Sequence, residues 1–104
     1  TREAILDASR ELLAALLQAN QLEPSHVISA LFTATPDLSA AYPAEAAREL
    51  GWTRGALLCV QEMVVTGSLP MCLRVLIHFE SDRSQVELRH QYLRDAASLR
   101  PDLK

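Results

Sequence analysis

Leu57-Leu58-Cys59-Val60-Gln61-Glu62, followed after an interruption by Met71-Cys72-Leu73-Arg74-Val75-Leu76-Ile77-His78-Phe79, is the stretch that decides how this chain folds. Leu57 to Val60 is a short apolar run of the kind a buried strand shows, and it leads into a polar pair that presents the Glu62 carboxylate. Gly67 and Pro70 break any regular period between Val65 and Pro70, and Met71 to Phe79 reads as a second, longer strand. Side chains alternate along a strand, so Cys72, Arg74, Leu76 and His78 share one face while Leu73, Val75, Ile77 and Phe79 share the other. Arg74 is therefore expected to point inward among apolar neighbours or into a cleft. A guanidinium cannot shed its charge, so it needs an anion nearby, either a carboxylate such as Glu62 or an anionic ligand. Spacing alone favours a structural Arg–Glu pair, since ion pairs on sheets are more often structural than catalytic.

Working outward, Thr1 to about Asn20 repeats Ala4, Ile5, Ala8, Leu12, Leu13, Leu16 and Leu17 at three- and four-residue intervals, which predicts an amphipathic helix capped by Thr1. Asn20 to Ser25 is a connector, because Pro24 biases its predecessor away from helix. His26 to Thr35 is mostly apolar and reads as a central strand buried on both faces, with His26 at its rim. Thr35 to Ser39 is turn chemistry, and Tyr42 to Gly51 is a short helix with Pro near its start and Gly past its end. The resulting order of helix, strand, helix, strand, strand predicts helices covering a mixed sheet rather than a bundle. Glu80 to Gln85 reads as a polar loop. In the tail from Val86 to Leu103, Leu88, Tyr92, Ala96 and Leu99 fall on one helical face, which Pro101 stops. The tail's charged residues read most simply as a solvated surface.

Composition narrows the function classes. With 104 residues, of which 49% are hydrophobic and 22% charged, the chain has the bulk for one domain, 1–104, with an aliphatic core. A net charge of −3, from 10 basic and 13 acidic side chains, argues against a nucleic acid or an anionic membrane as partner. No run approaches the roughly 20 residues a bilayer span requires, and no basic stretch followed by an apolar core opens the chain, so a cytoplasmic location is expected. Two cysteines make no disulfide framework, and three scattered histidines complete no zinc spacing, so no metal is expected. Gly51, Gly55 and Gly67 lack the spacing of a nucleotide cradle, which disfavours a cofactor. Ser68 has no base close in sequence and Cys59 lies within an apolar run, so covalent catalysis has little support.

Beyond spacing, eight segments resemble chorismate mutase of the trimeric α/β class. They are Thr33-Ala34-Thr35-Pro36-Asp37-Leu38, Tyr42-Pro43-Ala44, Ala47-Arg48-Glu49-Leu50, Cys59-Val60-Gln61-Glu62-Met63, Val65-Thr66-Gly67-Ser68-Leu69, Leu73-Arg74-Val75, Arg89-His90-Gln91-Tyr92-Leu93 and Leu99-Arg100-Pro101-Asp102-Leu103. They span essentially the whole chain in order. The resemblance implies an α/β fold in which a mixed sheet is covered by outer helices. It also implies a homotrimeric pseudo-α/β-barrel with active sites between neighbouring subunits.

It further implies the Claisen rearrangement of chorismate to prephenate in phenylalanine and tyrosine biosynthesis, without cofactor. Arg74 matches the cation beside the breaking ether bond. Glu62, with the backbone near Cys59, matches the group that binds the ring hydroxyl and aligns Arg74. Tyr92 matches the phenol on a substrate carboxylate, Tyr42 and Ala44 the cleft wall, and Leu57, Leu58 and Leu99 its apolar lining. Arg48 and Arg100 match cationic positions at the mouth and in the tail. Members usually begin with a strand carrying an Arg-Gly-x-Arg-Gly-Ala type of motif, after which the sequence here starts. At Glu45 relatives can have a lysine, and a carboxylate there is expected to turn to solvent or pair with Arg48. Two other readings stay open: a trimeric scaffold that binds an anionic small molecule without rearranging it, and an imine-hydrolysing trimer of similar architecture.

Overall fold

A computed structural model describes residues 1–52, 54–84, 87–94 and 96. The first helix, α1 (Arg2–Asn20), is capped by the Thr1 hydroxyl, which accepts a hydrogen bond from the Ala4 amide at 3.1 Å. Its buried side is Ile5, Leu6, Ser9 and Leu13. The helical stripe read from the sequence therefore merges two faces, because Ala8, Leu12 and Leu16 lie beside it along a cavity instead. Ser9 enters the core by donating its hydroxyl to the Ile5 carbonyl at 2.7 Å, which satisfies the one polar atom that burial would penalise.

After a 3₁₀ turn (Pro24–His26), three strands form a mixed sheet: β1 (Val27–Ala34), β2 (Ala56–Gln61) and β3 (Leu73–Phe79). β1 is central, parallel to β2 and antiparallel to β3. A single helix, α2 (Ala44–Glu49), makes the crossover that parallel strands need. Its end is built by local chemistry. Gly51, at φ 91°, lets the Trp52 amide reach the Ala47 carbonyl at 3.1 Å while its own amide reaches that of Arg48 at 3.1 Å. That turn delivers Trp52, 1% exposed, into a core shared with Leu6, Leu13, Val27, Ala30, Phe32, Ala46 and Ala47.

β1 is central, as expected, but it is not buried on both faces. A bulge between Val27 and Ser29 shifts the alternation, so Val27, Ala30 and Phe32 meet the helices and Ile28 is 54% exposed. The sheet then has two unlike sides. Helix-facing are Ala30 and Phe32 of β1, Leu57 and Cys59 of β2, and Val75 and Ile77 of β3. On the opposite side register aligns Ala56, Ser29 and His78 in one row, Leu58, Leu31 and Leu76 in the next, and Val60, Thr33 and Arg74 in the third.

The described part of the tail departs from its expected helix. Residues 88–93 are irregular, because Asn20 at the end of α1 clamps Arg89: its amide nitrogen donates to the Arg89 carbonyl at 2.9 Å and its amide oxygen accepts from the Arg89 nitrogen at 2.8 Å. Leu99 and Arg100 lie outside the described residues, with most of the remaining tail. Among the described residues no helix is long and apolar enough to cross a membrane.

Candidate active site

Glu62 follows the last residue of β2, and its amide donates to the Ala34 carbonyl at 2.9 Å, one step beyond the parallel ladder. This anchors the backbone at the end of the sheet while the side chain turns across the third row. There Arg74 donates twice to the carboxylate, Nε to Oε2 at 2.8 Å and Nη2 to Oε1 at 2.7 Å. Thr33 donates its hydroxyl to the same Oε2 at 2.6 Å. Arg74 and Thr33 together hold the Glu62 carboxyl below the usual carboxylate range, and the Glu62 charge raises Arg74 in turn.

Arg74 does not point inward among apolar neighbours; it borders a cleft, the other placement the sequence allows. It stands on the side of the sheet away from the helices, with its side chain 58% exposed, whereas that of Glu62 is only 16% exposed. Solvent screening at the arginine limits what such a pair contributes to folding to about 1 kcal/mol at most, so stability is a weak reason for its geometry. The fork uses Nε and one Nη2 donor; among the described residues Nη1 has no hydrogen-bond partner and keeps both of its donors.

A cavity of about 360 Å³ runs along β3, bounded by α1, the 69–75 segment and the tail, and it brings Arg74 together with Tyr92. Arg94 and His90 also line it, with Arg94 held by Glu11 at 2.9 Å. Cys72 closes one wall, where burial pushes its thiol up and away from the reactive thiolate.

Tyr42 and Cys59 lie elsewhere, in an open depression of about 600 Å³ bordered by Glu45 and Gln61. Tyr42 is 70% exposed on its rim. Because Gln61 lines this depression and Glu62 grips Arg74, the two halves adjoin at the end of β2. Ala44, 4% exposed, belongs to the core, and Leu57 packs against that core, so both brace the wall from beneath. Leu58 is on the opposite side of the sheet, 59% exposed, and Arg48 is exposed on α2. Glu45 pairs with Arg2 of α1 rather than with Arg48, which keeps its carboxylate neutralised from within the chain.

Thr33 is the residue that spacing alone overlooks. Its signal was a polar side chain recurring with Ser29 at even intervals in a strand read as wholly buried, where alternation already pointed to a second, less apolar face.

The sequence matches the family described as chorismate mutase type I over residues 1–103. It is 49% identical to chorismate mutase AroH of Thermus thermophilus, covering 100% of this chain and 86% of that protein. It is also 44% identical to chorismate mutase AroH of Bacillus subtilis (strain 168), covering 99% and 82%. Among solved structures, chorismate mutase from Clostridium thermocellum superposes with a TM-score of 0.92 at 42% identity, covering 94% of this chain and 88% of that one. The chain that carries this fork of arginine and glutamate therefore belongs, by its match over residues 1–103 and by these relatives, to the chorismate mutase type I family.

Proposed function

We propose that this protein rearranges chorismate to prephenate, a step of aromatic amino-acid biosynthesis, in the cytoplasm and as a homotrimer whose sites lie between subunits. The observation that carries the reading is the forked Arg74–Glu62 pair, with Arg74 Nη1 free of partners among the described residues and the guanidinium lining the same cavity as Tyr92. In the rearrangement the ether C–O bond breaks as a C–C bond forms, and negative charge grows on the ether oxygen. No proton transfer is required. The guanidinium, fixed by Glu62, directs its free donors at that oxygen, and the site confines the substrate to its folded conformer. Glu62 Oε1 and the backbone near Cys59 take the ring hydroxyl, and Tyr92 takes a carboxylate. Tyr42 forms the wall, braced by Ala44 and Leu57. Leu58 and Leu99 complete the lining, and Arg48 and Arg100 attract the dianion.

The magnitudes agree with this division. A million-fold acceleration asks for roughly 8 kcal/mol, of which one well-aimed donor supplies about 3 to 4 kcal/mol. Conformer restriction must supply much of the rest.

The trimer is supported by the open side of the sheet. Leu58, Val60 and Leu76, which are 59%, 41% and 58% exposed, form with Leu31 an apolar patch that a neighbouring subunit would cover. The assay is the loss of chorismate absorbance with formation of prephenate, paired with sedimentation to count subunits. Chorismate left unchanged by the assembled protein would sink the reading.

A further inference from the structure

We propose that Thr33 is a positioning residue for this rearrangement: its hydroxyl locks the Glu62 carboxylate, and through it aims the Arg74 guanidinium. The inference rests on the mutase reading of the site and goes beyond it, because Thr33 lines neither of the two hollows.

Register carries the argument. Thr33 is the β1 residue opposite Arg74 on β3 and opposite Val60 on β2, so its side chain emerges between those strands on the Arg74 side. Glu62, two residues past Val60, has its backbone tied to Ala34, the neighbour of Thr33. A glutamate's last torsion is broad, so a backbone anchor leaves the plane of the carboxylate unset. Thr33 sets it. Being β-branched, it is stiff about its first torsion, and it donates a hydrogen bond to Oε2 at 2.6 Å from a half-buried position in the central strand.

Donor accounting then assigns each oxygen a task. Thr33 and Arg74 Nε occupy Oε2, while among the described side chains Oε1 receives only Arg74 Nη2. Oε1 is therefore the oxygen with capacity left for a substrate hydroxyl. Among the described residues, Arg74, exposed and long, hydrogen-bonds only to this carboxylate. An error in the carboxylate plane is passed straight to the guanidinium. Without the hydroxyl, Oε2 keeps one partner and the fork is free to pivot about it.

The test is steady-state kinetics across pH on the full chain with Thr33→Val, which keeps the branched shape, and Thr33→Ser, which keeps the donor. Alongside it, carboxyl NMR follows the titration of Glu62. Thr33→Val is expected to lower kcat/KM about 10- to 100-fold, mainly through kcat, as loss of a hydrogen bond to a charged group does. The acid limb of the profile and the Glu62 midpoint should both move to higher pH, and Thr33→Ser should restore most of the rate with the midpoint in place. The proposal is overturned by a Thr33→Val enzyme with wild-type kcat/KM and an unmoved midpoint, or by Thr33→Ser being as impaired as Thr33→Val. Should the valine variant fail to fold, Thr33→Ala against Thr33→Ser makes the same contrast. If the wild-type protein leaves chorismate unchanged, the assigned reaction fails instead, and the Glu62 midpoint then judges the Thr33 contact separately.

Discussion

The same three strands face two different environments. Toward the helices, Ala30 and Phe32 are almost fully buried and share their core with Leu6, Leu13 and Trp52. On the other side, Leu58 and Leu76 are more than half exposed beside the Arg74 fork and the Ser29–His78 contact at 3.1 Å. Burial of a large apolar side chain contributes about 1.5 to 3 kcal/mol, so the helix-facing layer holds the chain together. The open layer combines charge with unspent apolar area. An exposed apolar patch beside a charged pair is what a surface built for binding or assembly presents.

That contrast is broken most forcefully from the core. Phe32→Ala should destabilise the fold by about 3 to 5 kcal/mol, read as a fall in the denaturant midpoint, because a closed interior cannot refill the space. Next comes Arg74→Lys, which retains charge and loses the planar fork. Its kcat is expected to drop about 100- to 1,000-fold while the melting temperature and subunit count stay put. Near-normal turnover by that variant would remove Arg74 from the chemistry.

Leu58→Asp places a charge in the apolar row of the open side. We expect single subunits with wild-type circular dichroism, and activity lost with assembly; a trimer that tolerates the aspartate would mean this side is not the interface. Smaller is the pH effect of Glu62. Its folded pKa is lowered, so its contribution is complete above the ordinary carboxylate pKa and disappears as pH falls through the lowered value. With Arg74 screened, that loss is at most about 1 kcal/mol in a chemical melt, yet activity should fall over the same window as the fork is released. Thr1→Ala, which removes the α1 cap, should cost about 1 kcal/mol and leave kinetics unchanged.

Much of this was legible in the letters. Period-two alternation separated Arg74 from Val75, and the proline and glycine around α2 marked both its ends. The need of a cleft guanidinium for an anion left a carboxylate such as Glu62 or an anionic ligand, and the fold supplies Glu62. The α1 face was read less well, since Ser9 and Leu6 replace Ala4 and Leu12 on the core side. Helical spacing tolerates either choice until a sheet determines which stripe is covered. The described start of the tail differs for a related reason: its apolar spacing suits a helix, but the two hydrogen bonds between Asn20 and Arg89 hold it in another conformation.

Local chemistry in the sequence determined the element types, their order, the caps and the residues able to carry charge, because these depend on neighbours a few positions apart. Only the tertiary structure decided that Thr33 stands opposite Arg74, that Glu45 answers Arg2, and that the Tyr42 and Tyr92 groups occupy separate hollows. Those relations join residues tens of positions apart through strand register and a single bulge, and a shift of one residue would have sent every side chain to the other side of the sheet.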